Sequence, residues 1–207
     1  MKVPSKGNIL LTGYEAFGDF KANPSIEVCR KLYGRTINGY DIAMKEIAMK
    51  FDRVKEELEG HLEAYRPVTL ICTGVSGAGS AIPVEQVAIN CFSASGAVMG
   101  MEAQDMLIRE GGPAGYFNSL PCSKILDGLK KTGIPARLSN SAGTMGCNLI
   151  FYHLMDWLTR EHVDILAGFI HLPRLPDQAL DGRSPSMTVE LSARALEIEV
   201  RIISELG

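Results

Sequence analysis

The sequence predicts an α/β protein organised around a sheet, and three observations carry that prediction. Short apolar, β-rich runs alternate with stretches of helical periodicity along the whole chain. The longest apolar runs, NILLTG and VDILAGFIHL, have the length of buried strands and are too short to cross a bilayer. Glycine-rich turns, GVSGAGSA above all, punctuate the ends of such runs.

Each element follows from its own pattern. NILLTG (8–13) reads as a buried strand. A loop leads to NPSIEVCRKLYG, where Asn23 suits a helix N-cap and Pro24 the first helical position. DIAMKEIAM (41–49) alternates like a strand with one wet face. FDRVKEELEGHLEAYR sets Phe51, Val54, Leu58, Leu62 and Tyr65 at helical spacing. VTLICTG (68–74) is a second buried strand, and VEQVAIN (84–90) reads as a further one. Residues 93–112 are weakly patterned, which suggests a mobile flap or an insertion near a site. PCSKILDGLKK reads as a short helix, ARLSN as a strand, CNLIFYHLMDWLTRE as a buried helix and VDILAGFIHL as a central strand. The last segment, TVELSARALEIEVRIISEL, is a long helix with Val189, Ala193, Leu196, Val200 and Ile203 on one face. No repeat or linker interrupts the series, so one domain over 1–207 is expected.

Composition narrows the function classes. A hydrophobic content of 46% with 22% charged residues excludes a disordered chain. The formal net charge of -3, without a Lys/Arg cluster, offers no pull toward nucleic acid or an anionic membrane. The opening MKVPSKGNILLTG lacks the longer apolar core of a signal peptide. Cys29, Cys72, Cys91, Cys122 and Cys147 form an odd set with no CxxC pair, which fits reduced thiols in a cytoplasm. No HExxH, EF-hand or CxxC spacing indicates a metal, and no cofactor is implied.

The stretch SNSAGTMGCNLIFYHLM (139–155) carries the clearest chemical signal. Small turn residues give way to an apolar helix at Cys147, so the thiol meets unpaired N–H groups and the positive end of a helix dipole, which favour a thiolate. A small buried cysteine at a crowded turn is the plainer alternative. A thiolate hydrolase needs an imidazole. His61 borders a surface helix, and His162 follows a helix end. His153 lies six residues after Cys147, about 240° round the helix and away from the thiol. His171 closes the run VDILAGFI at the C-terminal end of a strand, where open α/β sheets build their sites. An imidazole base needs a third group to orient it, and Glu85 lies within the apolar PVEQVAIN. A carboxylate there must find a partner or stay protonated, unless it lies on an edge strand and points into water. GVSGAGSA fails as a P-loop because Ser80 stands where Lys belongs. It fails as a nucleophile elbow around Ser76, because Ala78 replaces the last glycine and Pro83 re-extends the chain.

Taken together, these segments resemble the pyroglutamyl peptidase I (pyrrolidone-carboxylate peptidase) family of cysteine peptidases over nearly the whole chain. LLTGYEAFG…NPS is similar to its opening strand, aromatic loop and first helix. GVSGAGSAIPVEQVAIN, GGPAGYFNSLP, SNSAGTMGCN, GFIHLPRLPDQ and PSMTVELSARALE follow its remaining blocks in order. The resemblance places a nucleophile on Cys147, a histidine on His171 and a glutamate on Glu85. Departures cluster in the pocket. Gly79 stands where the family usually has Arg, Gln86 where it has a basic residue, Tyr14 where it has one of two Phe, and Met145 where it has an aromatic. The stretch CFSASGAVMGMEAQDM lacks the family's Arg- and Asp-containing segment.

The resemblance implies a three-layer α/β/α fold with a twisted, mostly parallel sheet, assembled as a homo-oligomer, often a tetramer. It implies removal of an N-terminal pyroglutamyl residue from a peptide or small amide substrate. Tyr14, Phe17, Asn23, Val75 and Met145 are the candidate substrate-binding residues. Two alternatives remain: a related cysteine amidohydrolase with another small acyl specificity, and a non-catalytic binding protein on the same scaffold.

Overall fold

A computed structural model of the chain describes residues 5–16, 18, 21–77 and 79–206. In chain order its elements are β1 (Asn8–Tyr14), α1 (Pro24–Leu32), β2 (Thr36–Ile37), β3 (Tyr40–Ile47), α2 (Phe51–Tyr65), β4 (Thr69–Ser76) and β5 (Ile82–Glu85). There follow β6 (Val87–Ile89), β7 (Phe92–Ala94), α3 (Gly96–Met99), β8 (Ala103–Met106), β9 (Gly115–Phe117), α4 (Cys122–Lys131), β10 (Ala136–Ser139), α5 (Gly146–Arg160), β11 (Leu166–Pro173) and α6 (Val189–Ser204).

Seven strands form one sheet in the order β10-β5-β11-β4-β1-β3-β2. The four central strands β11, β4, β1 and β3 run parallel. β5 and β10 are parallel to each other, but β5 runs antiparallel to β11. β2 folds back antiparallel on β3. The protein is therefore a single α/β domain with a mixed, mostly parallel sheet and helices on both faces.

Alternation along the strands supplies the two cores. Ile9 and Leu11 of β1, Ile71 of β4 and Ile170 and Leu172 of β11 join the core that includes residues of α1, α4 and α6. Their neighbours Leu10, Leu70, Cys72, Ala167 and Phe169 point the other way, into the core shared with α2 and α5. Each fully buried Ile, Leu or Phe here contributes on the order of 1.5–3 kcal/mol. The same period of two decides which strand-end residues face the start of α5.

Helix ends follow the sequence closely. Asn23 caps α1 by accepting from the Ser25 N–H at 3.1 Å, with Pro24 at the first position. Thr188 caps α6 through the Leu191 N–H. Gly13 is needed by packing rather than by its dihedrals, since a Cβ there would lie 2.5 Å from the Ile26 backbone nitrogen. β1 and α1 thus approach backbone to backbone.

Two segments differ from expectation. VEQVAIN is divided between two sheets: β5 belongs to the main sheet, whereas β6 pairs with β9. The break is at Gln86, whose N–H donates to Ser139 O and whose carbonyl accepts from the Asn118 N–H. The polar step Glu85–Gln86 falls at this break, but two polar residues in a row do not by themselves reveal a change of partner. The 93–112 region, expected as a mobile flap or an insertion near a site, contains a small ladder of β7 and β8 around α3. It is stitched to the loop before α5, since the Ser93 N–H donates to Thr144 O at 2.9 Å.

Candidate active site

His171 lies near the end of β11 on the face toward α5, because Phe169 two residues earlier points there. The reversed β5 sets Glu85 opposite Phe169, so Glu85 and His171 are diagonal neighbours on one face. Nδ1 of His171 and Oε1 of Glu85 are 2.8 Å apart. Both are buried, Glu85 at 1% and His171 at 7% exposure. Glu85 is not on an edge strand, since β5 lies between β10 and β11, so an acid pointing into water is excluded. The edge of the His171 ring rests against Phe169, with ring centroids 4.9 Å apart.

Cys147 arrives from above. The loop 139–145 includes Gly143 in the left-handed region at φ 78°, and Met145 then occupies the N-cap without a side-chain capping bond. Cys147 is the second residue of α5, where backbone N–H groups lack helical partners. Its sulfur packs on Gly74, the β4 residue paired with His171 across the ladder. A Cβ on Gly74 would lie 2.7 Å from Cys147 Sγ and 2.7 Å from Phe169 Cζ. Cys147 thus lies beside the residue paired with His171, and its charge and hydrogen-bonding act on the imidazole. The three residues singled out from sequence are thus joined in one line, Cys147 to His171 to Glu85.

Electrostatics give that line a polarity. Burial acts to lower the His171 pKa, but the charge and hydrogen bond of Cys147, with those of Glu85, outweigh it and raise it to about 9. An imidazolium is the charge state this favours for His171. The other thiols contrast with it: burial pushes Cys29 and Cys72 up to about 12 and raises Cys122 as well. His153, buried on α5, is pushed down to about 4 by burial and remains neutral. Among the described residues no group of three or more His, Cys, Asp or Glu could hold a metal ion.

The residues around the thiol are arranged less simply than the sequence suggests. Tyr14 is buried at 1% exposure, and its hydroxyl donates to Gly146 O at 2.5 Å. Burial, followed by the neighbouring Cys147 and Cys72, raises its pKa well above the usual phenol value. Asn23 is also buried: its Oδ1 accepts from Ser25, and its Nδ2 donates to Glu15 O at 2.9 Å. One N–H of that amide is left over. Val75 is half-buried at the end of β4, and Met145 is 41% exposed beside the thiol. Phe17 lies outside the described residues.

Two residues were missed. A Cβ on Gly146 would lie 2.9 Å from Met49 Sδ, 3.2 Å from Met99 Sδ and 3.5 Å from the Tyr14 hydroxyl. Two thioethers therefore crowd the residue just before Cys147. Met49 follows β3 as Tyr14 ends β1, a relationship only the sheet order makes visible. Met99 comes from α3, and no pattern in its weakly patterned segment pointed to it. Asn148 ties the chain just before that segment to α5: its Oδ1 accepts from the Ile89 N–H and its Nδ2 donates to Ile89 O and Cys91 O, each at 2.9 Å.

Comparison with known proteins agrees over the whole length. A family model described as pyroglutamyl peptidase matches residues 7–206. The chain is 39% identical over 201 residues to the pyrrolidone-carboxylate peptidase of Bacillus licheniformis, covering 96% of this chain and 92% of that one. It is 38% identical over 193 residues to the protein of that name from Bacillus velezensis, covering 92% and 89%. The crystal structure of Bacillus amyloliquefaciens pyroglutamyl peptidase I superposes with a TM-score of 0.92 at 34% identity, covering 97% of this chain and 98% of that one.

Proposed function

The chain belongs to the pyroglutamyl peptidase family of cysteine peptidases, and on that premise we propose that Cys147, His171 and Glu85 carry its reaction. It is a cysteine peptidase that removes N-terminal pyroglutamate. The observation that carries the assignment of roles is the packing of Cys147 Sγ on Gly74, the ladder partner of His171, with Glu85 at 2.8 Å behind the imidazole.

The mechanism follows from those contacts. His171 holds the proton of Cys147, and Glu85 fixes the ring orientation and favours the imidazolium. The thiolate attacks the pyroglutamyl carbonyl, and N–H groups at the start of α5 stabilise the oxyanion. The C–N bond breaks as His171 gives its proton to the leaving amine. Water then attacks the thioester, with His171 as base, and frees pyroglutamate and the thiol. Tyr14, Phe17, Asn23, Val75 and Met145 are assigned to the acyl pocket. Support for Met145 is its exposure beside the thiol, and for Asn23 its spare amide hydrogen. No cofactor enters this scheme.

The two methionine sulfurs at Gly146 favour one second reading, an amidohydrolase of the same chemistry with another small acyl preference. Turnover of pyroglutamyl, prolyl and acetyl fluorogenic amides decides between them. Pyroglutamyl cleavage lost in Cys147→Ala is the expected result; faster turnover of another acyl amide selects the second reading.

We read residues 1–207 as one such domain, and assign the protein to the cytoplasm on its free cysteines. None of the helices among the described residues is long and apolar enough to cross a membrane. A homo-tetramer is the assembly expected from the family resemblance, and light scattering on the purified protein tests it.

A further inference from the structure

Tyr14 makes a polar contact that this mechanism leaves unused. Its side chain is buried at the end of β1, and its hydroxyl donates to the carbonyl of Gly146 at 2.5 Å. The residue is mounted rigidly. Its N–H donates to Ser25 Oγ at 2.9 Å, and that hydroxyl donates in turn to Asn23 Oδ1 at 2.8 Å. The next residue, Glu15, donates its N–H to Ile47 O at 3.0 Å and accepts from the Met49 N–H through Oε1 at 2.9 Å. Burial, followed by the neighbouring Cys147 and Cys72, raises the phenol pKa well above its usual value, so the hydroxyl keeps its proton and remains a donor.

What the hydroxyl grips is one end of a single peptide group. Gly146 opens α5 and Cys147 is its second residue, so the Gly146 carbonyl and the Cys147 N–H belong to one planar unit. In a trans peptide these two groups point in opposite directions. The phenol therefore holds the back of the unit, while the N–H faces out of the helix end, where no helical acceptor exists. Among the described residues, the first N–H of α5 with a backbone acceptor is that of Leu149, on Met145 O at 2.9 Å. A bond accepted at one end of an amide polarises it and strengthens the donor at the other, by about 10–30%. Orientation is set by the same contact. Gly146 has no side chain to limit its backbone, and the phenol with the Met49 and Met99 sulfurs closes the space where its Cβ would lie.

We propose that Tyr14 is a positioning residue for the reaction: through the Gly146 carbonyl it orients and polarises the Cys147 N–H as a donor to the oxyanion. The proposal rests on the reading of Cys147 as nucleophile given above. A hydroxyl that only satisfied its own burial would lower stability when removed and leave the rate alone. Loss of a whole oxyanion donor costs about 10²–10³-fold in kcat. A weakening of that donor by 10–30%, taken on the logarithmic scale, corresponds to roughly two- to eightfold.

Tyr14→Phe tests it, because it removes one oxygen and keeps the ring, and phenylalanine is the residue that the family resemblance puts at this position. Steady-state kinetics on a pyroglutamyl amide should show kcat lowered roughly two- to eightfold with KM little changed. Two inhibitors divide the causes. The aldehyde analogue of pyroglutamate binds by attack of the Cys147 sulfur on its carbonyl carbon, which forms a C–S bond and moves the negative charge of the thiolate to the carbonyl oxygen. 2-Pyrrolidinone has the lactam ring without that carbonyl. Tyr14→Phe should weaken the aldehyde by the same factor as kcat and leave 2-pyrrolidinone unchanged. Equal weakening of both would place the hydroxyl in the ring pocket, and an unchanged aldehyde would make its role structural; either result overturns the proposal. Cys147→Ala separates this from the reading beneath it. Equal aldehyde affinity in wild type and Cys147→Ala would remove the nucleophile assignment and the proposal with it. An affinity that depends on Cys147 but not on the Tyr14 hydroxyl would overturn the proposal alone.

Discussion

Gly74 and Cys147 occupy one space: the missing Cβ of the glycine is what leaves room for the sulfur, 2.7 Å from where that carbon would lie. Gly74→Ala should therefore displace either the thiol or the Phe169 ring. Overpacking of this kind costs about 1–3 kcal/mol. The expected result is a folded protein with a lowered Tm, slower iodoacetamide labelling of Cys147 and turnover reduced more than tenfold. Wild-type turnover in Gly74→Ala would place the reacting sulfur elsewhere.

The charge state of the pair is open to titration. His171 is raised to about 9, against the burial that acts to lower it, with Cys147 the larger upward contribution and Glu85 the smaller. In NMR titration, Cys147→Ala should lower the His171 pKa, and Glu85→Gln should lower it less. The sign for stability follows from linkage. A raised imidazole pKa contributes stability that is complete below about 6.5, the unfolded value, and is lost as pH climbs through about 9. His171→Ala should cut kcat by about 10²–10⁴-fold. An unmoved His171 titration in both variants would disconnect the three groups.

Thiol labelling provides a separate check. Iodoacetamide at neutral pH should modify Cys147 well before Cys29 and Cys72, whose burial pushes them up to about 12. Mass spectrometry of partly labelled protein reads the order directly, and early modification of Cys29 or Cys72 would contradict the burial pattern.

Glu199 of α6 is fully buried, neither carboxylate oxygen has a partner among the described residues, and burial pushes its pKa up to about 8. Below about 4.5 both folded and unfolded forms are protonated and no penalty exists. Between 4.5 and 8 the unfolded chain gives up this proton while the folded chain keeps it, so stability falls as pH rises. Glu199→Gln should thus stabilise increasingly with pH, by a few kcal/mol at pH 9 and by almost nothing at pH 4. Calorimetry across that range tests it; a stabilisation independent of pH would assign the gain to packing alone.

The methionines at Gly146 bear on selectivity. Met99→Ala should open space beside the nucleophile and raise the ratio of a six-membered to a five-membered lactam amide roughly tenfold, the scale of one methylene in an apolar pocket. Met99→Leu, closer in volume, should change the ratio little. Prolyl amides should stay poor substrates of both variants, since a site that pairs the ring carbonyl leaves donors unsatisfied without it. Identical acyl profiles in wild type and Met99→Ala would put the ring away from these sulfurs.

The residues of the proposed catalytic line were legible because each sits at a point that local pattern marks. Cys147 stands at a turn-to-helix junction, His171 ends an apolar run, and Glu85 interrupts another. The partnership of Glu85 with His171 was not readable, because it depends on β5 running against β11, and alternation is the same in either direction. The split of VEQVAIN at Gln86 depends on partners from distant segments, Ser139 and Asn118. Tyr14 reads as an aromatic wall, but its register on β1 buries it beneath α5, where its hydroxyl serves a helix carbonyl. Met99 shows the deeper limit: its role comes from a short ladder held by Asn148 and Ser93, contacts between segments far apart in sequence.

The antiparallel entry of β5 has a consequence for how such a protein can change. It lets the orienting acid rise from within the ladder, so Glu85 and His171 are mounted on strands whose spacing the backbone dictates. The segments proposed to touch a substrate hang elsewhere: on the crossing from β1 to α1, on the turn after β3, and on the β7–α3–β8 ladder that delivers Met99. Reaction machinery and recognition surface are therefore separate modules joined at one helix turn. Loops can then be exchanged wholesale to retune what is bound while the paired strands that hold Glu85 and His171 stay intact.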